Sequence, residues 1–330
     1  NNRPISILDT SIGRGGDINK YLSSKNQIKF LLGLDISSNI KEAAKRFYLQ
    51  NSKTKAMFIQ YDTSESIREG WGYKGTDEEI DQNSKLINII YDKPFKKQIP
   101  EKYKPIQKKY ENICGNGFDI ISSQFSVHYY FKNEMTLRGY LQNLSDNCKK
   151  GGYFIGTCYD GKKIYDLLNT FEDKKFNMID DFDTEIFSLT LEEQEYDNFD
   201  YNKSNIRPMF GRTISVYMNS IGQEIPEYLV NFDMFKDMMK EYRFRLVKPK
   251  LKGFNNGIFN KESFTIEDGL GNFSEIINKL NELSNKDPLL KTNSSGRDGP
   301  FRRSLEINKK ENEKLKILSS LNNWFIFEKY

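Results

Sequence analysis

Three short apolar runs, each ending in an aspartate, constrain the fold of this chain more than any other feature. They cover residues 5–9, 30–35 and 57–62 and end at Asp9, Asp35 and Asp62. Between them, side chains recur at helical spacing, first Ile18, Tyr21 and Leu22, and then Ile40, Ala43, Ala44 and Phe47. This alternation of strand and helix predicts a parallel, doubly wound α/β sheet.

The rhythm is interrupted at residues 65–112. This stretch is polar and carries a lysine cluster between Lys93 and Lys109, so we interpret it either as a disordered insertion or as a basic excursion that faces an anion. Downstream the pattern resumes. We expect strands at 118–122 and 153–157, helices at 135–149 and 231–242, a hairpin around 214–216, a surface loop at 285–303 and a final strand at 324–327.

Composition argues against several classes of protein. The chain has 330 residues, of which 37% are hydrophobic and 29% charged, so it can bury a sizeable core and wholesale disorder is not expected. A formal net charge of +4 permits an anionic partner without requiring one. No apolar run approaches the ~18 residues that a membrane span needs, so we expect no membrane partner.

The usage of cysteine and histidine bears on redox compartment and metal binding. The three cysteines, Cys114, Cys148 and Cys158, are widely spaced, which argues against a disulfide framework and favours a reducing compartment. With one histidine, His128, a Cys/His zinc site is not expected, and we predict no metal. The chain begins without an initiator Met, and we expect it to be part of a longer polypeptide.

A glycine loop directly follows the first predicted strand. Parallel sheets bind ligands at the carboxyl ends of their strands, where Asp9, Asp35 and Asp62 are expected to meet. A carboxylate after the second strand suits the two hydroxyls of a ribose, and one after the third can accept from an adenine amino group. The glycines at Gly13, Gly15 and Gly16 let the backbone approach a ligand closely.

Two adenosine-containing ligands are compatible with these residues, NAD and S-adenosylmethionine. The loop Gly13-Arg14-Gly15-Gly16-Asp17 lacks the G-x-G-x-x-G spacing of a dinucleotide site, and Asp17 is unsuited to a pyrophosphate. A positively charged sulfonium tolerates such acids, so the adenosyl sulfonium is favoured. No G-x-x-x-x-G-K-[ST] sequence is present, which excludes P-loop chemistry.

Several segments resemble the mRNA cap guanine-N7 methyltransferase family. Residues 7–17 resemble its first motif, 34–37 the second, and 119–129 (DIISSQFSVHY) its most specific one. Residues 151–157, 225–230 and 327–329 are similar to further signatures, in the right order. The chain most resembles the methyltransferase domains of large DNA-virus capping enzymes, such as those of asfarviruses, mimiviruses and poxviruses. In those enzymes triphosphatase and guanylyltransferase domains precede this one, and here no K-x-D-G motif for GMP transfer is present.

The resemblance implies a fold, a domain organisation and a reaction. The fold is the Rossmann-like class I S-adenosylmethionine-dependent methyltransferase, an α/β domain with a central, mostly parallel, seven-stranded sheet and an inserted cap-binding lobe. The domains would be a cofactor-binding core at 1–165, the cap-binding insertion and later strands at 166–265, and a C-terminal segment at 266–330 that completes the sheet. The reaction would move a methyl group from S-adenosylmethionine to N7 of the 5' cap guanine, leaving S-adenosylhomocysteine.

The resemblance also assigns site residues. For the cofactor these are Asp9, Ser11, Gly13, Asp35, Asp62, Ser122 and Gln124. For the guanine they are Phe125, His128, Tyr129 and Glu227. The first three share one face if their segment begins a helix, and Glu227 should lie in a short exposed segment after Pro226. For the triphosphate and RNA the resemblance suggests Arg14 and Lys20, and the basic residues at 93–109 and Arg302-Arg303, outside the matched motifs, are weaker candidates.

Some positions depart from the family pattern. Ser11 stands where the family has Gly, Arg14 where it has Lys, and Asn322-Asn323-Trp324 where it often has a cap-facing Tyr. These departures keep open the alternative of a catalytically weak, methyltransferase-like binding or stimulatory module of a capping complex. In either case the expected partner is capped RNA, and the expected location is the cytoplasm, with the viral factory and virion added if the protein is viral.

Overall fold

The computed structural model describes residues 3–24, 26–93, 99–180, 182–192, 210–219, 221–247, 269–275, 278 and 313–330. The chain divides into two units. The first comprises Asn1–Gly156, Asp237–Arg245 and Phe327–Tyr330, and the second comprises Thr157–Lys236 and Leu246–Ile326. The loop expected at 285–303 lies outside the described residues.

The strands and helices follow in chain order. The strands are β1 (Ile5–Asp9), β2 (Ile28–Asp35), β3 (Lys55–Gln60), β4 (Phe118–Gln124), β5 (Cys148–Tyr159), β6 (Lys175–Ile179), β7 (Glu185–Leu191), β8 (Thr213–Met218), β9 (Gln223–Tyr228), β10 (Phe244–Leu246), β11 (Leu270–Asn272) and β12 (Asn322–Lys329). The helices are α1 (Ile18–Leu22), α2 (Ile40–Leu49), α3 (Asp77–Ile90), α4 (Lys104–Tyr110), α5 (Glu134–Asn147), α6 (Gly161–Leu168), α7 (Phe232–Glu241) and α8 (Glu313–Ser320). Two short 3-10 helices lie at Glu101–Tyr103 and Val127–Lys132.

A seven-strand path, β10-β12-β5-β4-β1-β2-β3, forms the central sheet, and β11 adds to it by pairing with β12. The pairings β1–β2, β2–β3 and β1–β4 are parallel. From β1 the order rises through β2 and β3 on one side and through β4 and β5 on the other, so β1 and β4 flank the point where strand order reverses. This order is that of a doubly wound, Rossmann-like sheet, as the sequence predicts.

Burial explains why the first strands are continuous apolar runs rather than alternating ones. Leu8, Phe30, Leu31 and Leu32 are fully buried, as expected for strands covered on both faces. On one face, α1 and α2 pack against β1 and β2 through a buried cluster. Its members are Ile7, Ile12, Ile18, Ile28, Leu31, Ile40 and Ala43.

The interrupted segment at 65–112 contains regular structure. Helix α3 starts with a capping box, in which the Thr76 hydroxyl accepts from the Glu79 amide and the Glu79 carboxylate accepts from the Thr76 amide. Its last turn buries Ile87, Ile89 and Ile90. The expectation of a disordered insertion is therefore wrong for the part that forms α3 and α4.

The second unit contains a four-stranded antiparallel sheet in the order β6-β7-β8-β9. Its buried cluster includes Ile164 and Leu168 of α6 with Phe187, Leu189 and Ile214 of the sheet. The hairpin predicted around 214–216 is confirmed as β8 and β9. The predictions of the helix at 231–242 and of the final strand are confirmed by α7 and β12.

Within the described residues, no helix is long and apolar enough to cross a bilayer. Cys114, Cys148 and Cys158 are all buried and unpaired with one another.

Candidate functional site

The carboxyl ends of β1 and β4 meet at the point where strand order reverses. Asp9 and Ser122 are partners in the parallel register, and the Thr10 amide donates to the Ser122 carbonyl at 3.0 Å. In doubly wound sheets the crevice outside these two strand ends is where ligands bind. The site predicted from the sequence therefore lies at the edge that the topology favours.

The glycine loop after β1 needs glycine for steric reasons. Gly15 has φ +80°, and a β-carbon there would lie 2.6 Å from Cδ1 of Ile18 and 3.1 Å from Cα of Ala43. Gly13 has φ +52°, and its amide donates to Oδ2 of Asp35 at 2.7 Å. The space beside Gly13 is open, because a β-carbon would meet only Asp35 Oδ2, at 4.0 Å.

Asp35 and Asp62 hold their loops through short local hydrogen bonds. Oδ1 of Asp35 accepts from the Ser37 amide at 2.8 Å and from the Ser37 hydroxyl at 2.7 Å. Oδ1 of Asp62 accepts from the Ser64 amide at 3.0 Å, and Lys74 Nζ lies 3.8 Å from its Oδ2. The sequence predicts that the third strand ends at Asp62, but β3 ends at Gln60, so Asp62 lies two residues past the observed strand end. Both carboxylates are half-buried and remain partly accessible.

Asp9 is buried and accepts two hydrogen bonds. The Ser11 amide donates to its Oδ1 at 3.1 Å, and the Tyr21 hydroxyl donates to its Oδ2 at 2.7 Å. Burial raises the pKa of Asp9 to about 7, while these two hydrogen bonds oppose the shift, and the charges of Asp17 and Asp35 add to it. Its charge state therefore changes near neutral pH.

Serine hydroxyls connect the glycine loop to the segment after β4. The Ser11 and Ser126 hydroxyls form a hydrogen bond, and Ser126 Oγ lies 2.9 Å from Ser123 Oγ. The Gln124 amide donates to Ser122 Oγ at 3.0 Å. Ser11, which stands where the family has Gly, is thus hydrogen-bonded to Ser126.

The aromatic segment does not present one shared face. Phe125 precedes the 3-10 helix in a left-handed backbone conformation, with φ +52°. Phe125 is 52% exposed and Tyr129 44%, whereas His128 is 3% exposed. The sequence expectation is wrong here because a 3-10 helix forms, which has about 3.0 residues per turn, and because Phe125 lies before it.

His128 is an uncharged ring beside Tyr129. The two ring centroids are 4.1 Å apart with a 54° interplanar angle. Burial lowers the pKa of His128 to about 3, so its imidazole is neutral at physiological pH.

Glu227 belongs to the second unit and lies on β9, opposite Ile214 of β8. It is half-buried, so the expectation of a short exposed segment is wrong. The edge position of β9 accommodates Pro226, which cannot donate to a neighbouring strand. Burial raises the pKa of Glu227 to about 7.

The basic residues predicted to contact phosphate are only partly within the described residues. Arg14 and Lys20 are exposed, and Lys20 Nζ donates to Asp17 Oδ1 at 2.6 Å. Arg302 and Arg303 lie outside the described residues.

Asn322, in the segment where the family often has a cap-facing Tyr, is buried. Its side-chain amide donates to the Leu318 carbonyl at 3.0 Å, so this side chain has a structural contact inside the second unit.

Comparison with known families decides the assignment. The family described as mRNA (guanine-N(7))-methyltransferase domain matches residues 1–295. The chain belongs to this family. The resemblance inferred from the motifs is thereby confirmed, and so is the Rossmann-like class I methyltransferase fold.

Relatives of this methyltransferase family member include proteins of fungi and of a virus. The mRNA cap guanine-N(7) methyltransferase of Meyerozyma guilliermondii is 30% identical over 277 residues, covering 81% of this chain and 43% of that protein. The Saccharomyces cerevisiae protein of the same name is 27% identical, covering 73% and 46%. A mimivirus protein named "Probable mRNA-capping enzyme" is 27% identical over 171 residues, covering 49% of this chain and 13% of its own length. The chain spans about half the length of the fungal relatives it matches.

Solved structures give a weaker likeness. An S-adenosylmethionine-dependent methyltransferase from Clostridium acetobutylicum has 13% identity and a TM-score of 0.44, covering 98% of this chain and 83% of its own. One from Mesorhizobium loti has 10% identity and a TM-score of 0.43, covering 99% and 92%. The fold assignment rests on strand order and the family match instead.

Sequence reasoning missed Tyr21 as a member of the site. Its helical spacing with Ile18 and Leu22 marks it as a packing residue, yet its hydroxyl lies 2.7 Å from Asp9 Oδ2 and 2.9 Å from Ser122 Oγ. The sequence signal that could have identified it is the hydroxyl of Tyr21, a polar group on an otherwise apolar helix face, in the helix that directly follows β1. Across the described ranges, no group of three or more His, Cys, Asp or Glu side chains could hold a metal ion.

Proposed function

We propose that this domain is an mRNA cap guanine-N7 methyltransferase, which transfers a methyl group from S-adenosylmethionine to N7 of the cap guanine in GpppN-RNA. The observation that carries the proposal is the hydrogen bond between Ser11 and Ser126. It fastens the aromatic segment that contains Phe125 and Tyr129 against the glycine loop. A guanine held by that segment would therefore lie beside a cofactor held by the loop.

The donor and acceptor set of the glycine-loop edge fits an adenosyl sulfonium. Half-buried carboxylates of Asp35 and Asp62 can accept from ribose hydroxyls and from an adenine amino group. The open space beside Gly13 leaves room for a ligand over the turn. Ser122 and Gln124 complete the polar lining from β4. S-adenosylmethionine, when bound, supplies an electrophilic methyl group on a positively charged sulfur.

Guanine N7 carries a lone pair and no proton, so its methylation by in-line displacement needs no general base. The neutral His128 is consistent with this, since an imidazole with a pKa of about 3 cannot take up a proton at pH 7. The protein's contribution is alignment, exclusion of water and electrostatics. Half-exposed rings of Phe125 and Tyr129 would favour the positive charge that develops on the purine, at roughly 0.5–2 kcal/mol per cation–π contact.

Two further groups complete the proposed substrate recognition. Glu227, when ionised, accepts from N1 and the exocyclic amine of guanine, a pair of donors that adenine lacks. The exposed Arg14 and Lys20 offer positive charge to the triphosphate from either side of the start of α1. Because Lys20 is already paired with Asp17, Arg14 is the stronger candidate for phosphate.

Triphosphatase and guanylyltransferase domains, covalently linked in the full-length chain, would supply the GpppN-RNA that this domain methylates. Three buried, unpaired cysteines suit a reducing compartment, and the cytoplasm is the one we propose.

Incubation with GpppG-capped RNA and methyl-labelled S-adenosylmethionine, followed by nuclease digestion and nucleotide analysis, tests the function. The expected product is 7-methylguanosine released from the cap, with no label in internal nucleotides. An unlabelled cap from a protein that binds S-adenosylhomocysteine would favour the stimulatory-module alternative instead. ApppG-capped RNA is the matched control and should remain unlabelled.

A further inference from the structure

The positive charge of this protein is concentrated in one short segment. Residues 93–111 contain seven lysines and two glutamates, whereas the whole chain has 50 basic and 46 acidic side chains. Outside the segment the chain therefore has 43 basic and 44 acidic side chains, which is close to neutrality. A mildly basic protein with so local a surplus is suited to bind a polyanion at that place.

Four of these lysines lie on α4 and the 3-10 turn before it. Lys102, Lys104, Lys108 and Lys109 are exposed, and we call them the α4 lysines. Tyr103, between the first two, is buried and fixes the turn, with Lys102 Nζ 5.3 Å from its ring centroid. The lysines are thus presented by ordered backbone.

A fifth lysine reaches the same surface from the sheet. Lys55 begins β3, and its ammonium donates to the Lys109 carbonyl at 2.7 Å. Lys55 Nζ and Lys109 Nζ lie 5.7 and 5.1 Å from the ring centroid of Tyr110, whose other contacts include an edge-on approach to the buried ring of Phe30. Two ammonium groups therefore converge on one aromatic side chain that is anchored in the core.

The acids of the segment offset only part of this charge. Glu101 pairs with Lys104 at 2.5 Å, and the Glu111 carboxylate accepts from Gln107 at 2.6 Å. An exposed i,i+3 pair such as Lys104–Glu101 is weak and exchanges readily for a phosphate contact.

We propose that the α4 lysines, with Lys55, bind the phosphate backbone of the RNA body downstream of the cap. The identity of this polyanion rests on the proposed function. Lys55 is the first residue of β3, and Asp62 lies two residues past the last one. The α4 surface and the cofactor edge are therefore at opposite ends of β3. At ~3.3 Å per residue, the strand itself separates them by about 17 Å. Only an RNA longer than the cap and its first nucleotides can contact both.

The test compares two fourfold variants with the wild-type chain. One carries Lys102→Gln, Lys104→Gln, Lys108→Gln and Lys109→Gln. The matched control carries Lys45→Gln, Lys162→Gln, Lys163→Gln and Lys240→Gln, which removes four exposed lysines from α2, α6 and α7. Affinity for a capped RNA of about 20 nucleotides, longer than typical single-strand site sizes of ~4–16 nucleotides, is measured at several salt concentrations. Methylation of a free GpppG cap analogue is measured in parallel, and thermal melting checks folding.

The α4 variant should lose about tenfold or more in RNA affinity at low salt, and its slope of log affinity against log salt should fall by ~0.7 per lost phosphate contact. The control variant should keep the wild-type slope, and all three proteins should methylate the cap analogue alike. Equal slopes for the α4 and control variants would overturn the inference and leave the α4 surface to an acidic protein partner. Failure of the wild-type chain to methylate the cap analogue would count against the proposed function, while the salt slopes would still report on the α4 surface.

Discussion

The hydroxyl of Tyr21 lies 2.7 Å from Oδ2 of Asp9 and donates a hydrogen bond to it. Tyr21 lies on α1 and Asp9 at the end of β1, and the same hydroxyl lies 2.9 Å from Oγ of Ser122, two residues before the end of β4. One phenol therefore joins the two strand ends that flank the reversal of strand order. It holds a buried carboxylate whose charge would otherwise be costly.

Replacement of Tyr21 by Phe should weaken binding of S-adenosylhomocysteine severalfold near neutral pH, because Asp9 then lacks the phenol donor that favours its ionised form at the proposed cofactor edge. Loss of that bond also raises the pKa of Asp9, so the acid limb of the binding profile should move to higher pH. Calorimetric titration at several pH values measures both effects. Tyr48→Phe, at an exposed position on α2, is the control. Unchanged affinity and an unmoved pH limb would make Tyr21 a packing residue only.

Asp35→Ala should weaken S-adenosylhomocysteine binding far more than cap binding. The substitution removes the acceptor proposed for the ribose hydroxyls and also the acceptor of the Gly13 amide, with an expected loss of roughly 1.5–3 kcal/mol. Calorimetry with S-adenosylhomocysteine and with a cap analogue gives the two affinities. Asp166→Ala, on the exposed side of α6, should change neither. A cofactor affinity equal to that of the wild type would remove Asp35 from the site.

Phe125→Gly should separate stability from function. A non-glycine residue at φ +52° is strained by ~1–3 kcal/mol, and glycine relieves this strain while adding unfolded-state entropy of ~0.5–1 kcal/mol. The melting temperature should therefore hold or rise, whereas kcat/KM for capped RNA should fall about tenfold with loss of the ring's contact to guanine. Asn112→Gly, at φ +54°, is a matched control away from the site. A marked loss of stability, or unchanged kcat/KM, contradicts this account.

The core of the fold could be predicted from the sequence because buried parallel strands are continuous apolar runs. The strand-end acids and the glycine loop followed from the same pattern, since Gly15 sits where no β-carbon fits. Helix α3 was missed because its polar face dominates the segment. The T-x-x-E signature at Thr76 and Glu79 was present in the sequence and marks the start of the helix.

The arrangement of the site residues was harder to predict from the sequence than their identity. Spacing of i, i+3 and i+4 implies a shared face only in an α-helix, and the segment after β4 forms a 3-10 helix that buries His128. Glu227 follows a proline, which suggested an exposed loop, yet the edge strand β9 tolerates Pro226 and turns Glu227 into a half-buried position. Such outcomes depend on tertiary packing, which no local pattern encodes.

Ligand-free protein should lose stability as the pH rises from about 6 to 8. Asp9 and Glu227 have pKa values raised to about 7, so the folded state holds their protons above the pH at which the unfolded chain, with ordinary values of 3.8 and 4.5, releases them. Their stabilising contribution is complete below about pH 4 and is lost as the pH rises through 7, with a slope of up to ~1.4 kcal/mol per pH unit for each proton.

His128 acts in the opposite sense, because its lowered pKa reduces stability only as the pH falls below about 6.5. Above that value the two carboxyl groups dominate. Differential scanning calorimetry over this range measures the slope, and the double variant Asp9→Asn, Glu227→Gln should flatten it. A melting temperature that rises from pH 6 to 8 in the wild type would contradict the raised pKa values.

Glu227→Gln should lower cap affinity and kcat together while sparing the cofactor. The amide keeps the size of the side chain but presents a donor where guanine N1 and N2 already donate, at a cost of about 2–4 kcal/mol. Positive charge grows on the purine during methyl transfer, so loss of the carboxylate should cost more in the transition state than in the ground state. Steady-state kinetics with GpppG-capped RNA measures kcat and the cap affinity, and calorimetry with S-adenosylhomocysteine measures the cofactor affinity.

Glu224 provides the matched control for this substitution. It lies three residues earlier on the same strand, is exposed, and accepts from the Ser215 hydroxyl at 2.9 Å. Glu224→Gln should therefore leave kcat and the cap affinity near their wild-type values. Because Glu227 has a pKa near 7, the wild-type cap affinity should also rise with pH through neutrality as the carboxylate ionises, and Glu227→Gln should abolish that rise. A Glu227→Gln protein that methylates capped RNA at the wild-type rate, with the wild-type pH profile, would show that guanine is recognised by other residues.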